Sequence, residues 1–233
     1  MPRSKRVVAV GAAHHVTQRG NSRQDVFVND GVRRAYLDLL AEHAGRNKLR
    51  VVAYCLMTNH VHLVVVPESE RSLANTFRHA HGRFSQYWNT AFHRTGHLWQ
   101  NRFYSCPVEE AAEWRVIRYV EQNPVRAGMV ERAAEYGWSS ARAHAGMEAS
   151  AMLDCEWWER RCIAKSWQAV LEESGEEAAA IRLATYSGRP YGSAMFVRAL
   201  ETQLGRRLER RKGGRPPKRP EESAQMAFRD AEQ

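Results

Sequence analysis

Two histidines are spaced so that they can act together on a metal ion. His60 and His62 flank Val61 in a run rich in Val and Leu, which predicts a strand. Because strand side chains alternate between faces, both imidazoles would lie on one face, about 7 Å apart along the backbone. Neutral imidazole nitrogens bind divalent cations. The pair therefore predicts part of a metal site, and two polar residues on a solvated sheet face are the alternative.

A tyrosine and an asparagine supply the complementary chemistry. Tyr119 and Asn123 lie four residues apart in a predicted helix, so their side chains share one face. Two imidazoles and an amide oxygen can hold Mg²⁺ or Mn²⁺, with water and phosphate oxygens completing the shell. A phenol in line with a metal-bound phosphate can attack it and form a phosphotyrosine, from which a strand is rejoined without ATP. Taken singly, Tyr119 would be a helix boundary residue and Asn123 a cap.

The elements that must position these residues alternate in a definite order. Strands are predicted over 6–18, 49–57, 60–66 and 102–108, and helices beginning at Asn29 or Asp30, at Ser72 and at Glu109. The first six elements give the split βαβ, ferredoxin-like arrangement of an α+β fold. We expect an antiparallel sheet with two helices on one face and the other face open for a site.

The amino-acid composition limits the classes of molecule that the protein is expected to bind. The 233 residues include 35 Lys and Arg against 26 Asp and Glu, a net charge of +9, and 30 of the 35 basic residues are Arg. This excess predicts a polyanionic partner, either nucleic acid or an anionic membrane surface. No apolar run approaches the roughly 18–20 residues of a transmembrane helix, so no membrane span is expected. The sequence also lacks a phosphate-binding glycine loop, so no nucleotide cofactor is expected. The four cysteines form no C-x-x-C pair, so a reducing cytoplasm is the expected location.

The charge divides the chain into three segments. Residues 1–146, the predicted catalytic domain, hold 20 basic and 12 acidic residues, whereas 147–205, a predicted helical C-terminal extension, hold 6 and 9. Residues 206–233 hold 9 and 5 and predict a basic flexible tail, in which Arg211, Lys212 and Arg215 would contact DNA. The alternative is a solvated tail that binds any nucleic acid electrostatically.

Four runs of sequence, in this order, resemble the REP-associated tyrosine transposases, which belong to the single-tyrosine HUH transposases. They are HVTQRGN at 15–21, MTNHVHL at 57–63, LWQNRF at 98–103 and YVEQNPVRAG at 119–128. The resemblance covers about residues 6–145. It implies an HUH-type fold in which His60 and His62 bind the metal, Tyr119 is the nucleophile and Asn123 completes the metal site. Thr58, where the family commonly has Pro, and Asn123, where many relatives have Gln, depart from the pattern.

The resemblance also implies a substrate, single-stranded DNA with an imperfect hairpin that is cut near a short tetranucleotide. We predict that arginines and polar residues near the site contact this DNA, and that Trp99 and Phe103 stack on unpaired bases. Core packing is the alternative for these two rings. The predicted polar contacts are Gln18, Arg19, Arg23, Arg102, Arg118 and Arg126.

The predicted function is metal-dependent cleavage and rejoining of single-stranded DNA at hairpin-bearing, REP-like sites through a 5′-phosphotyrosine, by a monomer or homodimer. Three alternatives stay open. The chain could be a non-catalytic regulator that binds DNA or RNA hairpins. It could be a replication-initiator or relaxase-type nickase of the same superfamily. It could also be a metal phosphoesterase that uses the histidine pair without covalent chemistry.

Overall fold

The computed structural model describes residues 5–161, 166–173 and 175–208. Its centre is a four-stranded antiparallel sheet in the order β2-β3-β1-β4. The strands are β1 (His14–Arg19), β2 (Leu49–Leu56), β3 (His60–Pro67) and β4 (Tyr104–Pro107). With one helix between β1 and β2 and another between β3 and β4, this is the ferredoxin-like topology. The predicted α+β class is confirmed.

The helices follow the predicted order and continue into the C-terminal extension. They are α1 (Asp30–Arg46), α2 (Ser72–Ala91), α3 (Glu113–Glu121), α4 (Asn123–Arg126), α5 (Ala141–His144), α6 (Cys155–Arg161), α7 (Trp167–Glu172), α8 (Ala178–Ser187) and α9 (Ala194–Leu204). Single 3₁₀ turns occupy Asn21–Arg23, Glu110–Ala112 and Ala133–Glu135. In the part of the chain that the structure describes, no helix combines the length and apolarity that crossing a membrane requires.

The first strand is shorter than predicted. It begins at His14, whereas residues 6–13 form an irregular segment. Gly11 turns the chain there with a φ of +80°, a conformation that glycine adopts without steric cost. Val7 and Ala9 pack against Leu200 of α9 instead of pairing with a strand. The apolar pattern of this segment therefore serves packing against the extension.

The two faces of the sheet are both covered. Val16, Leu63 and Val65 pack against α1 and α2, as predicted. The expectation that the second face is open is wrong: Val64 and Val66 pack there in a cluster with α3, α7 and α8. The physical reason is that this face is itself apolar over most of its area, so that leaving it in water would be costly. The polar part of this face is formed by the end of β3 that carries the histidines and by the neighbouring residues of β1.

Candidate active site

His60 and His62 lie on the same face of β3, the face that α3 covers. Strand β1 runs beside them, with Arg19 opposite His60 and Thr17 opposite His62. The two imidazole rings are 5.0 Å apart between centroids and nearly perpendicular, at 80°. The predicted alternation of the strand is thus confirmed, and it brings both imidazoles together.

The hydrogen bonds of Asn59 fix the tautomer of His60. The Asn59 amide nitrogen donates to the carbonyl of Arg23 at 3.1 Å, which leaves its oxygen as an acceptor. That oxygen lies 2.7 Å from Nδ1 of His60, so Nδ1 carries the proton and Nε2 keeps a bare lone pair. Burial, and then the Arg19 guanidinium, lower the pKa of His60 to about 4. The ring is therefore neutral at pH 7.

A longer chain of hydrogen bonds fixes the tautomer of His62. The Thr185 hydroxyl donates to the carbonyl of Ile181 at 2.8 Å, so its oxygen accepts from Nδ1 of His15 at 2.7 Å. Nε2 of His15 then accepts from Nδ1 of His62 at 2.9 Å. This leaves Nε2 of His62 bare. Burial lowers the pKa of His15 to about 3 and that of His62 well below 6.5.

These donors fit a divalent cation. Two neutral imidazoles with bare Nε2 atoms, each held by a hydrogen bond at Nδ1, are the usual form of histidine ligands. Within the described residues no group of three or more His, Cys, Asp or Glu side chains could hold a metal ion. Asn123 caps the end of α3, as the alternative interpretation held, because its amide nitrogen donates to the carbonyls of Tyr119 and Val120 at 3.0 Å each. Its place in the metal site stays a prediction.

Tyr119 of α3 lies beside this pair in the same chain. Its ring stands edge-on to those of His62 and His15, at 5.7 and 5.5 Å between centroids. The residue is 5% exposed, and its hydroxyl makes no hydrogen bond within the described residues. Burial raises the pKa of the phenol above 10.0, while the cations of Arg126 and Arg182 oppose this shift. The Arg126 guanidinium lies 4.4 Å from the ring centre.

Of the predicted DNA contacts, Arg19, Arg23 and Arg126 are placed near the histidines. Arg19 forms no ion pair or side-chain hydrogen bond in the described part of the chain, so its guanidinium is available to a phosphate. Arg23 is exposed in the turn that holds Asn59. Arg126 donates to the backbone carbonyl of Tyr119. These three predictions agree with the geometry, and their contact with DNA stays a prediction.

Two predicted polar contacts have other partners. Gln18 is buried, and its amide nitrogen donates to the carbonyl of Asn101 at 2.7 Å, which ties β1 to the loop before β4. The Arg118 side chain is 5% exposed and forms ion pairs with Glu173 at 2.9 Å and Glu177 at 3.1 Å. The structure therefore corrects both predictions, because neither group is available to DNA.

The predicted stacking rings are also engaged in packing. Trp99 lies against Phe84 and His81 and donates from its indole nitrogen to the carbonyl of His81 at 3.3 Å. Phe103 is held between Phe77, at 4.6 Å between centroids, and the Arg6 guanidinium at 3.5 Å. Both belong to the cluster on the opposite face of the sheet from the histidines. The alternative of core packing is correct for both.

The remaining predicted contacts lie farther out. Arg102 is exposed on the loop before β4, at the rim of a basic cavity described below. Arg211, Lys212 and Arg215 lie outside the described residues. Three residues that hold the histidines in place were not predicted from the sequence: His15, Asn59 and Thr185. The first two stand inside the recognised runs and could have been found from the predicted register, whereas no sequence signal marks Thr185.

Comparisons with known proteins agree with this fold. Residues 9–123 match the family model described as transposase IS200 like. A solved REP-associated tyrosine transposase bound to a REP hairpin is 14% identical, with a TM-score of 0.53, over 66% of this chain and 98% of its own. A structure of a candidate transposase from Deinococcus radiodurans R1 is 23% identical, with a TM-score of 0.37, over 52% of this chain and 97% of its own.

The structural likeness at 14% identity is one of fold, and no curated protein matches the chain. The family assignment comes from the sequence itself. The matched segment contains the whole sheet and α1 to α3, together with His15, His60, His62 and Tyr119. Residues 9–123 of the chain belong to the IS200-like transposase family.

Proposed function

We propose that this transposase cleaves and rejoins single-stranded DNA at hairpin-bearing, REP-like sites through a 5′-phosphotyrosine on Tyr119. Family membership supports a DNA-transposing enzyme, and the shared fold of a protein solved with a REP hairpin supports the hairpin substrate. One observation carries the proposal. The bare Nε2 atoms of His60 and His62 and the phenol of Tyr119 meet on one sheet face of one chain.

His60 and His62, through Nε2, and Asn123, through Oδ1, would hold Mg²⁺ or Mn²⁺. When bound, such an ion polarises the scissile phosphate and offsets the negative charge that develops on it. Asn59 and His15 fix the tautomer and orientation of both imidazoles, because each accepts the Nδ1 proton of one ligand. Arg19, beside His60, would add a positive charge for a phosphate oxygen.

Tyr119 carries the covalent step. Its phenol oxygen attacks phosphorus, the bond from phosphorus to the 3′ oxygen breaks, and that oxygen leaves with a proton while the phenol loses its own. The product is a 5′-phosphotyrosine and a free 3′-hydroxyl, and attack by a 3′-hydroxyl reverses the step. Burial opposes ionisation of the phenol, so the cations of Arg126 and Arg182 assist by stabilising the phenolate.

The test uses hairpin oligonucleotides taken from the DNA that flanks the gene of this protein. We expect a covalent adduct on a denaturing gel with Mg²⁺ or Mn²⁺, none with fully double-stranded DNA, and none with Tyr119→Phe, which should still bind the hairpin. An adduct that persists in Tyr119→Phe would overturn the assignment of the nucleophile. Hairpin binding without any adduct would favour a non-catalytic regulator.

A further inference from the structure

A basic cavity lies at the β4 edge of the sheet, outside the site described above. It has a volume of about 460 Å³ and is bounded by the segment before β1, by β4, by the end of α8 and by the residues after α9. Six of its lining residues are cationic, and none of the described residues that line it is acidic. We call it the β4-edge pocket. Its cations are Lys5, Arg6, Arg102, Arg189, Arg206 and Arg207.

Within the described residues none of these six cations forms an ion pair with an acidic side chain, whereas buried Arg118 has two such partners. Arg6 is held by its bond to the Phe103 carbonyl at 2.9 Å, and Arg206 by its bond to the Lys5 carbonyl at 2.7 Å. Like charges gathered in one concavity repel each other, so the arrangement favours an anionic ligand.

Two aromatic rings stand beside these charges. Tyr104 of β4 and Tyr186 of α8 are 37% and 44% exposed, and their rings meet edge-on at 5.0 Å between centroids. Exposed aromatic faces next to a row of cations are what an unpaired nucleic-acid strand requires, because its bases stack while its phosphates bind the cations. A free phosphate or a duplex would use the cations and leave the rings unused.

The pocket adjoins the catalytic face. Thr185, whose hydroxyl accepts from His15, is also one of its lining residues. One side chain, that of His15, therefore separates the pocket from His62. Tyr104 is the β4 residue paired with Thr17, and Thr17 in turn pairs with His62 across β1 and β3. His62 and Tyr104 therefore lie on the same face of the sheet, with β1 between them.

We propose that the β4-edge pocket binds an unpaired stretch of DNA next to the position of cleavage, with phosphates on Arg102, Arg189 and Arg207 and a base on Tyr104 or Tyr186. The inference rests on the proposed function and adds to it where the unpaired flank of the substrate lies. It assigns a DNA-binding role to residues of the extension.

The test measures binding of a fluorescein-labelled oligodeoxythymidylate to the full chain by anisotropy, in EDTA and in the Tyr119→Phe background, so that cleavage plays no part. The pocket variant is Arg102→Ala with Arg189→Ala, because neither side chain makes a hydrogen bond within the described residues. The matched control, Arg78→Ala with Arg83→Ala, removes the same charge from exposed positions of α2. A third variant, Tyr104→Ala, tests stacking.

We expect the pocket variant to lose about tenfold in affinity and to lower the slope of log K against log salt by about 1.4, since each phosphate contact on a single strand contributes about 0.7. The control should keep both values. Tyr104→Ala should weaken binding several-fold with an unchanged slope, because stacking releases no counterions.

Two results would overturn the proposal. Equal losses in the pocket variant and the control would mean diffuse electrostatic binding, and an unchanged pocket variant would mean that the strand lies elsewhere. In either case adduct formation with hairpin DNA in the otherwise unmodified chain would show that the proposed function still stands. A chain that does not bind the oligodeoxythymidylate would also overturn the pocket proposal, whereas the proposed function is decided by adduct formation with hairpin DNA alone.

Discussion

The hydroxyl of Thr185 accepts a hydrogen bond from Nδ1 of His15 at 2.7 Å, although the two residues are 170 positions apart in the chain. This contact decides which nitrogen of His15 is an acceptor, and so which nitrogen of His62 is bare. A residue of the extension thereby positions a candidate metal ligand without touching it.

Replacing that hydroxyl should disturb the site while preserving its shape. In Thr185→Val the acceptor for His15 Nδ1 is lost, so His15 no longer has to receive the proton of His62. We expect adduct formation at saturating DNA to slow by roughly 10- to 100-fold, the range found for residues that support metal ligands. The Mn²⁺ concentration that gives half of the maximal rate of adduct formation should rise as well. Thr185→Ser should restore both values, and unchanged kinetics in Thr185→Val would refute the positioning role.

The placement of Tyr119 beside His62 of its own chain predicts that one polypeptide holds a complete site. We expect a mixture of Tyr119→Phe and His60→Ala chains to form no adduct with hairpin DNA, since neither variant has all the required groups. Each variant should still bind the hairpin in a mobility-shift assay. Recovery of adduct in the mixture would mean that Tyr119 acts on the partner's histidines in a homodimer.

Substitution of Arg118 and substitution of Arg19 should have opposite effects on stability and on DNA affinity. Arg118→Ala leaves two acidic partners without their buried cation, and we expect the free energy of unfolding to fall by about 1–3 kcal/mol in urea titrations. Its DNA affinity should change little. Arg19→Ala should leave stability nearly unchanged and weaken hairpin binding with a smaller salt dependence. The reverse pattern would restore Arg118 as a DNA contact.

Buried neutral histidines should make the fold acid-sensitive. Burial lowers the pKa of His81 to about 3 from 6.5, so below pH 6.5 the unfolded chain binds a proton that the folded chain excludes. Stability is therefore lost as pH falls from 6.5 towards 3, at up to about 1.4 kcal/mol per pH unit for one such group. His81→Gln, which can still bond to the Tyr36 hydroxyl, should reduce this slope between pH 6 and 4.5 in urea unfolding. An unchanged slope would contradict the burial argument.

Local patterns predicted a large part of this structure. The spacing of His60 and His62 set their common face, and Asn29 caps α1, accepting from the amide of Val32 at 3.0 Å. The order of elements determined the sheet because ferredoxin-like connections leave few other topologies. Each of these inferences depends on residues close together in sequence or on a known element order.

The wrong predictions concern residues whose contacts come from segments far away in the sequence. Periodicity cannot tell a ring that stacks on DNA from one that packs against α2, as Trp99 and Phe103 do. Charge alone cannot identify Arg118 as the partner of Glu173 and Glu177, more than 50 residues away. The closed face of the sheet was missed for the same reason, since much of what packs there beside α3 comes from irregularly spaced tryptophans and short helices of the extension.

The residues of the extension that pack on that sheet face limit where the chain can be truncated without damage to the candidate site. The family match ends at residue 123, yet Thr185 and Arg182 belong to α8. A fragment cut to the family boundary would keep His60, His62, Tyr119 and Asn123. It would lack the hydroxyl that sets the protonation of His15, and the apolar side chains of α7 and α8 that pack in the cluster with Val64 and Val66. The shortest segment that keeps the candidate site intact is therefore longer than the segment that matches the family.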